Sequence, residues 1–72
     1  MKARPDLHDA VELREALGGQ PVGAVGAVVE LLPAEVLVEF ADQHGRTVEL
    51  LSVPYEALSV RSAQPAERRA PG

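Results

Sequence analysis

The chain has 72 residues, enough for one domain that buries only about 60% of its unfolded surface. It has no cysteine, which rules out disulfide staples, thiolate metal ligands and cysteine nucleophiles. Its net charge is −4, yet the segment from Asp6 to Val60 holds ten acids against two bases, Arg14 and Arg46. A surface of that sign repels phosphate backbones and makes nucleic acid an unfavourable ligand.

The N-terminus, Met-Lys-Ala-Arg-Pro-Asp-Leu-His-Asp, leads into no apolar stretch of signal-peptide length, and residues 1–6 are expected to be a flexible lead. The longest uncharged apolar run, Pro21 to Val29, is far short of a membrane span. A cytoplasmic protein that does not engage membranes is the expectation.

The folded unit is expected over residues 7–61. Its first strand carries Val11 and Leu13, interleaved with Ala10, Glu12 and Arg14. Gly18, Gly19 and Pro21 mark a longer loop after it. A second strand has Val25, Ala27, Val29 and Leu31 alternating with Gly26, Val28 and Glu30. Leu32-Pro33-Ala34 is a tight connection, because proline cannot sit inside a central strand. The third strand alternates Val36, Val38 and Phe40 with Glu35, Leu37 and Glu39.

Asp42-Gln-His-Gly45 then closes a hairpin, and Gly45 is predicted to take φ > 0 there. Val48 and Leu50 belong to the fourth strand. Val53 to Leu58 reads as one helical turn, with Pro54 at its start and Glu56 at its positive end. The stretches Val11 to Leu17 and Ala34 to Ala41 contain good helix formers, but glycine or proline brackets both and leaves no room for a capped helix of ordinary length. Residues 62–72 have nothing large and apolar to bury and are expected to be a disordered basic tail.

Five short strands with a single helical turn before the last give the expected fold: all-β, a small five-stranded SH3-like barrel, closed to protect its edges. The expected core is Val11, Leu13, Val29, Val36, Val38, Phe40, Val48, Leu50 and Leu58.

Two stretches, Gly23-Ala-Val-Gly26-Ala-Val-Val-Glu30 and Val38-Glu-Phe40-Ala-Asp42-Gln-His-Gly45-Arg46-Thr47, follow Asp9-Ala-Val11-Glu-Leu13. In that order they resemble a family of short bacterial proteins designated domain-of-unknown-function family 4926. Its members read Asp-x-Val-x-Leu, Gly-x-x-Gly-x-Val-Val-Glu, Glu-Val-Glu-Phe and Asp-Gly-Arg-Thr before a leucine strand. The chain departs from them in Ala16 to Pro21, where the family has Leu-Pro-Glu, and in an unusually apolar connection between the second and third strands. The resemblance implies an SH3-like barrel and no activity.

No arrangement of residues assembles a catalytic, cofactor or metal site, and the protein is not expected to be an enzyme. Gly23 and Gly26 lead into a strand, whereas a phosphate loop leads into a helix. His8 and Asp9 are too few for a metal, and Asp42, His44 and Ser52 have no spacing that joins them as a triad. Glu39 and Glu49 are expected to be solvent-facing acids rather than an acid/base pair.

The candidate partner-binding residues are Tyr55, Asp42, His44 and Arg46. Asp42 and Arg46 either present a binding tip or hold the hairpin turn. Tyr55 either anchors a partner or plugs one end of the barrel. The expected function is a protein-interaction module, possible roles being an accessory or antitoxin-like partner of a neighbouring gene product. The alternatives are a structural homo-oligomer formed by self-association and, less favoured by charge, a nucleic-acid-binding barrel.

Overall fold

Alternating valine-rich segments form extended chain because β-branched side chains stand well on a pleated surface. The computed structural model describes residues 4–62. The tail expected over 62–72 lies outside the described residues except for Ser62. Strands β1 (Ala10–Leu13), β2 (Val25–Leu31), β3 (Glu35–Ala41), β4 (Thr47–Pro54) and β5 (Leu58–Ser62) form one antiparallel sheet in the order β4-β3-β2-β1-β5. A single 3-10 turn, Tyr55–Ala57, joins β4 to β5, with Pro54 before it and Glu56 in its first turn. The chain is all-β, as its alternation predicts, and neither stretch of good helix formers is helical.

The expected closed barrel is corrected. β4 and β5 are consecutive in the chain yet occupy the two edges of the sheet, and no ladder joins them. A flat sheet of five strands would hold those edges about 19 Å apart, at about 4.8 Å per strand spacing. The link from Pro54 to Leu58 cannot span more than about 14 Å even when fully extended, and three of its residues form a 3-10 turn. The sheet therefore curls. Ala57 and Leu58 are buried where the turn crosses the gap, so side chains occupy the seam instead of backbone hydrogen bonds.

The concave face holds the core: Val11, Leu13, Val28, Val36, Val38, Phe40, Val53, Ala57 and Leu58. Three expected core residues are corrected, since Val29, Val48 and Leu50 are exposed. In β4 the phase follows from pairing with β3: Phe40 faces Glu49, Val38 faces Leu51 and Val36 faces Val53. Cross-strand partners share a face, so Glu49, Leu51 and Val53 point inward and Leu50 points out. In β2, Val28 faces Val38 and therefore points inward, and Val29, the residue without a partner at the bulge before Glu30, is exposed.

Gly26 also lies on the concave face, opposite Val11. A Cβ there would come within 2.6 Å of Val38 Cγ1 and 2.8 Å of the Glu39 carbonyl oxygen. Glycine is required by that close approach of β2 to β3.

The segment before β1 continues the pairing. His8 N–H donates to the Val28 carbonyl (2.7 Å) and Val28 N–H to the Asp9 carbonyl (3.0 Å). Pro5 is buried and Asp6 N–H donates to the Asp9 carboxylate (2.8 Å), so residues 4–6 sit against the sheet. Asp9, only 1% exposed, returns its own N–H to the Asp6 carbonyl (3.1 Å). His8 closes this turn in the left-handed region, at φ 71°.

Candidate functional site

Asp42 organises the β3–β4 turn. Its Oδ1 accepts the N–H groups of His44 (2.8 Å) and Arg46 (3.0 Å), and its Oδ2 lies 3.4 Å from Arg46 Nε. Gly45 takes φ 82°, as the turn requires, and donates its N–H to the Asp42 carbonyl (2.9 Å). A short acid that accepts backbone amides two and four residues on is the local chemistry of such a turn.

Tyr55 lies at the other end of the same hairpin, beside Pro54, which pairs with Glu35. Its hydroxyl donates to the Leu32 carbonyl (2.8 Å) and its ring packs against the core margin. The Arg4 guanidinium sits 4.3 Å from the ring centroid. The seven residues of β3 separate the two ends by about 20 Å. The structure thus brings Asp42, His44 and Arg46 together around one turn and places Tyr55 apart from them.

The other titratable groups are similarly dispersed. Glu39 pairs with Leu50 on the convex face and Glu49 with Phe40 on the concave face, so the two carboxylates point to opposite sides of the sheet. Glu49 reaches the loop after β1, accepting Gly19 N–H (3.2 Å) and the Gln20 side-chain amide (2.9 Å). His8 precedes β1 while His44 sits in the β3–β4 turn, and Ser52 pairs with Leu37, well along β4 from that turn. Among the described residues no group of three His, Cys, Asp or Glu side chains could hold a metal. No helix of the described residues is long and apolar enough to cross a membrane.

The feature that residue types did not single out is the convex face. Its rows follow from the register: Ala10, Ala27, Glu39 and Leu50 form one, and Glu30, Leu37 and Ser52 the next. Val25 is 47% exposed, Leu50 52%, and Val48, the residue without a partner at the β3–β4 bulge, 55%. Small side chains at Ala27 and Ala41 leave a shallow trough of about 290 Å³, lined by Val25, Gly26, Ala27, Glu39, Ala41 and Gly45. Glu39 is half-buried at its side and accepts a hydrogen bond from the Thr47 hydroxyl. Strands β2, β3 and β4 carry four acids and no base. The only signal for this face in the sequence is a surplus of valine and leucine on both phases of β2 and β4.

The model of a family described as "Domain of unknown function (DUF4926)" matches residues 7–60. The match covers all of β1 to β4, the 3-10 turn and most of β5. Neither a curated protein nor a solved structure matches the chain.

Proposed function

Since the chain belongs to the DUF4926 family, whose description carries no activity, we propose from its geometry that it is a protein-interaction module and not an enzyme, working through the convex face of its sheet. The observation that carries this reading is the exposure of Val25, Val48 and Leu50 across β2 and β4, beside a β4 edge that among the described residues pairs only with β3. Exposed apolar side chains beside a free strand edge are the kind of surface that association covers. Four polar side chains elsewhere are committed to structure: Asp42 to its turn, Glu49 to the loop amides, Tyr55 to Leu32 and Asp9 to Asp6. The acidic body supports a protein partner over a nucleic acid.

The test is photocrosslinking in cells. Leu50 is replaced by a benzophenone amino acid, and the full chain is co-expressed with the genes that flank its own. One adduct of defined mass at position 50, absent when the probe replaces Glu56 on the 3-10 turn, is the expected result. An adduct of twice the chain mass would favour the homo-oligomer. Equal labelling at both positions, or none, would refute the reading.

A further inference from the structure

We infer that the trough between β2 and β3 is the docking point for an arginine or lysine side chain presented by an extended segment of a protein partner. The inference rests on the interaction-module reading and names what the convex face selects.

Three observations converge on a basic anchor. Ala27, Ala41 and the Gly26 backbone form an apolar bed, and long cationic side chains lay their methylene stems along such surfaces while the charged head stays near water. The Glu39 carboxylate stands where that head arrives. It accepts the Thr47 hydroxyl and forms no ion pair among the described residues. A carboxylate offers about four acceptor positions, so it retains capacity for a guanidinium or ammonium.

On β2, β3 and β4 the charge has one sign, and the nearest bases, Arg46 after the lining Gly45 and Arg61 on β5, are paired with Asp42 and Glu12. Glu30, Glu35, Glu39 and Glu49 lie on β2, β3 and β4 without a single Lys or Arg. Glu30 and Glu35 add long-range attraction for a basic segment and repulsion for an acidic one. A second copy of this acidic chain meets that repulsion.

The trough is open, whereas pockets built for small molecules enclose most of the ligand surface, so an isolated arginine binds it weakly and the rest of the affinity comes from the segment that carries the side chain. Val25 lines it, Leu50 stands opposite Glu39 and Val48 is exposed on the same strand as Leu50, so apolar side chains are at hand for the residues next to the basic one. That combination, a charged anchor with apolar neighbours, suits an extended peptide whose side chains alternate in direction.

The probe is arginine blocked at both ends, N-acetyl-arginine N-methylamide, titrated into the ¹⁵N-labelled full chain and followed by amide shifts. Saturable shifts confined to Ala27, Glu39, Ala41 and Gly45 are expected. Blocked glutamate should give none. Glu39→Gln keeps an acceptor for Thr47 and should weaken binding about tenfold or more, as loss of a charge-assisted contact does. Glu30→Gln, outside the trough, loses only screened long-range attraction and should weaken binding far less than Glu39→Gln.

Shifts spread over every acidic position, or insensitive to Glu39→Gln, would overturn the inference. So would trough shifts produced by Arg68→Ser with Arg69→Ser alone, since the chain's own C-terminal arginines would then be the occupant. The crosslinking experiment separates the two levels. A position-50 adduct that persists at full yield in Glu39→Gln refutes the basic anchor and leaves the interaction module standing. Absence of the adduct in the otherwise unaltered chain refutes the module whatever the probe does.

Discussion

Replacing Gly26 by alanine puts one methyl group where β2 crosses closest to β3. That carbon would lie 2.6 Å from Val38 Cγ1, 2.8 Å from the Glu39 carbonyl oxygen and 2.9 Å from Phe40 Cδ1. Val38 is β-branched with little rotamer freedom, Phe40 is buried, and the Glu39 oxygen belongs to the β3 backbone. Relief therefore requires the strands to part. Overpacking of this kind costs about 1–3 kcal/mol, and alanine returns less than about 1 kcal/mol by restricting the unfolded chain. A folded unit of about 60 residues has about 3–9 kcal/mol of stability in total. A net loss of about 2 kcal/mol lowers Tm by about 8–16 °C in a domain this size. Thermal and urea melts of Gly26→Ala followed by circular dichroism measure this. Gly45→Ala is the control for backbone cost without crowding: no atom of the described residues lies within 4 Å of the added carbon, and the φ of +82° resists it, at about 1–2 kcal/mol. A Gly26→Ala protein melting within about 2 °C of the parent, where even 1 kcal/mol would move Tm further, would refute the close approach of β2 to β3 at Gly26.

Further expectations concern single side chains. Phe40→Ala should cost about 3–5 kcal/mol, while Leu50→Ala, on the opposite face, should change stability by less than about 0.5 kcal/mol. Equal effects in urea titrations would show that the two faces are misassigned. Asp42→Ala removes the acceptor for two backbone amides and should cost about 1 kcal/mol, with faster amide exchange confined to His44 and Arg46. Tyr55→Phe should lose about 0.5–1.5 kcal/mol through the bond to Leu32. Tyr55→Phe melting unchanged would mean that water replaces the hydroxyl at that carbonyl.

Strand positions and turns were legible because each left a local signal. Val36, Val38 and Phe40 alternate cleanly with Glu35 and Glu39, and all three are buried. Gly45 sits where a short hairpin needs positive φ, and it takes that conformation. The face of β4 was not legible. Val-Glu-Leu-Leu-Ser-Val places apolar residues on both phases, so alternation alone favoured Val48 and Leu50 as core. The deciding interaction is pairing with β3, which sets Glu49 opposite Phe40. Glu49 tolerates the concave side because the loop after β1 supplies it with donors from 29 and 30 residues away. Pairing decides β2 in the same manner: Gly26 opposite Val11 and Val28 opposite Val38 set the inward phase against the Val25, Ala27 and Val29 alternation, and the bulge after Val28 has no marker in composition.

The convex trough was illegible for a related reason. Its walls come from β2, β3 and the β3–β4 turn, and only the register brings Ala27 beside Glu39. Val48 and Leu50, exposed beside it, carry the same alternation as core residues. Asp42, by contrast, stands out in the sequence as a turn acid, and turn geometry is what it provides.

The pairing of Ala10 with Ser62 has a consequence for the order of assembly. β2–β3 and β3–β4 are hairpins that close short loops, whereas β1–β5 joins residues about fifty positions apart. That ladder carries the largest loop-closure entropy and is the step that slows folding. Because the two ends of the sheet chain emerge side by side, they can be joined by a short linker and the chain reopened between Gln43 and His44. β1–β5 then becomes the local hairpin, and β3–β4 inherits the long closure. The same native surfaces would be buried through a different sequence of events, so the rearranged protein should keep its sheet while its folding nucleus moves from the β2–β3–β4 meander to the joined termini.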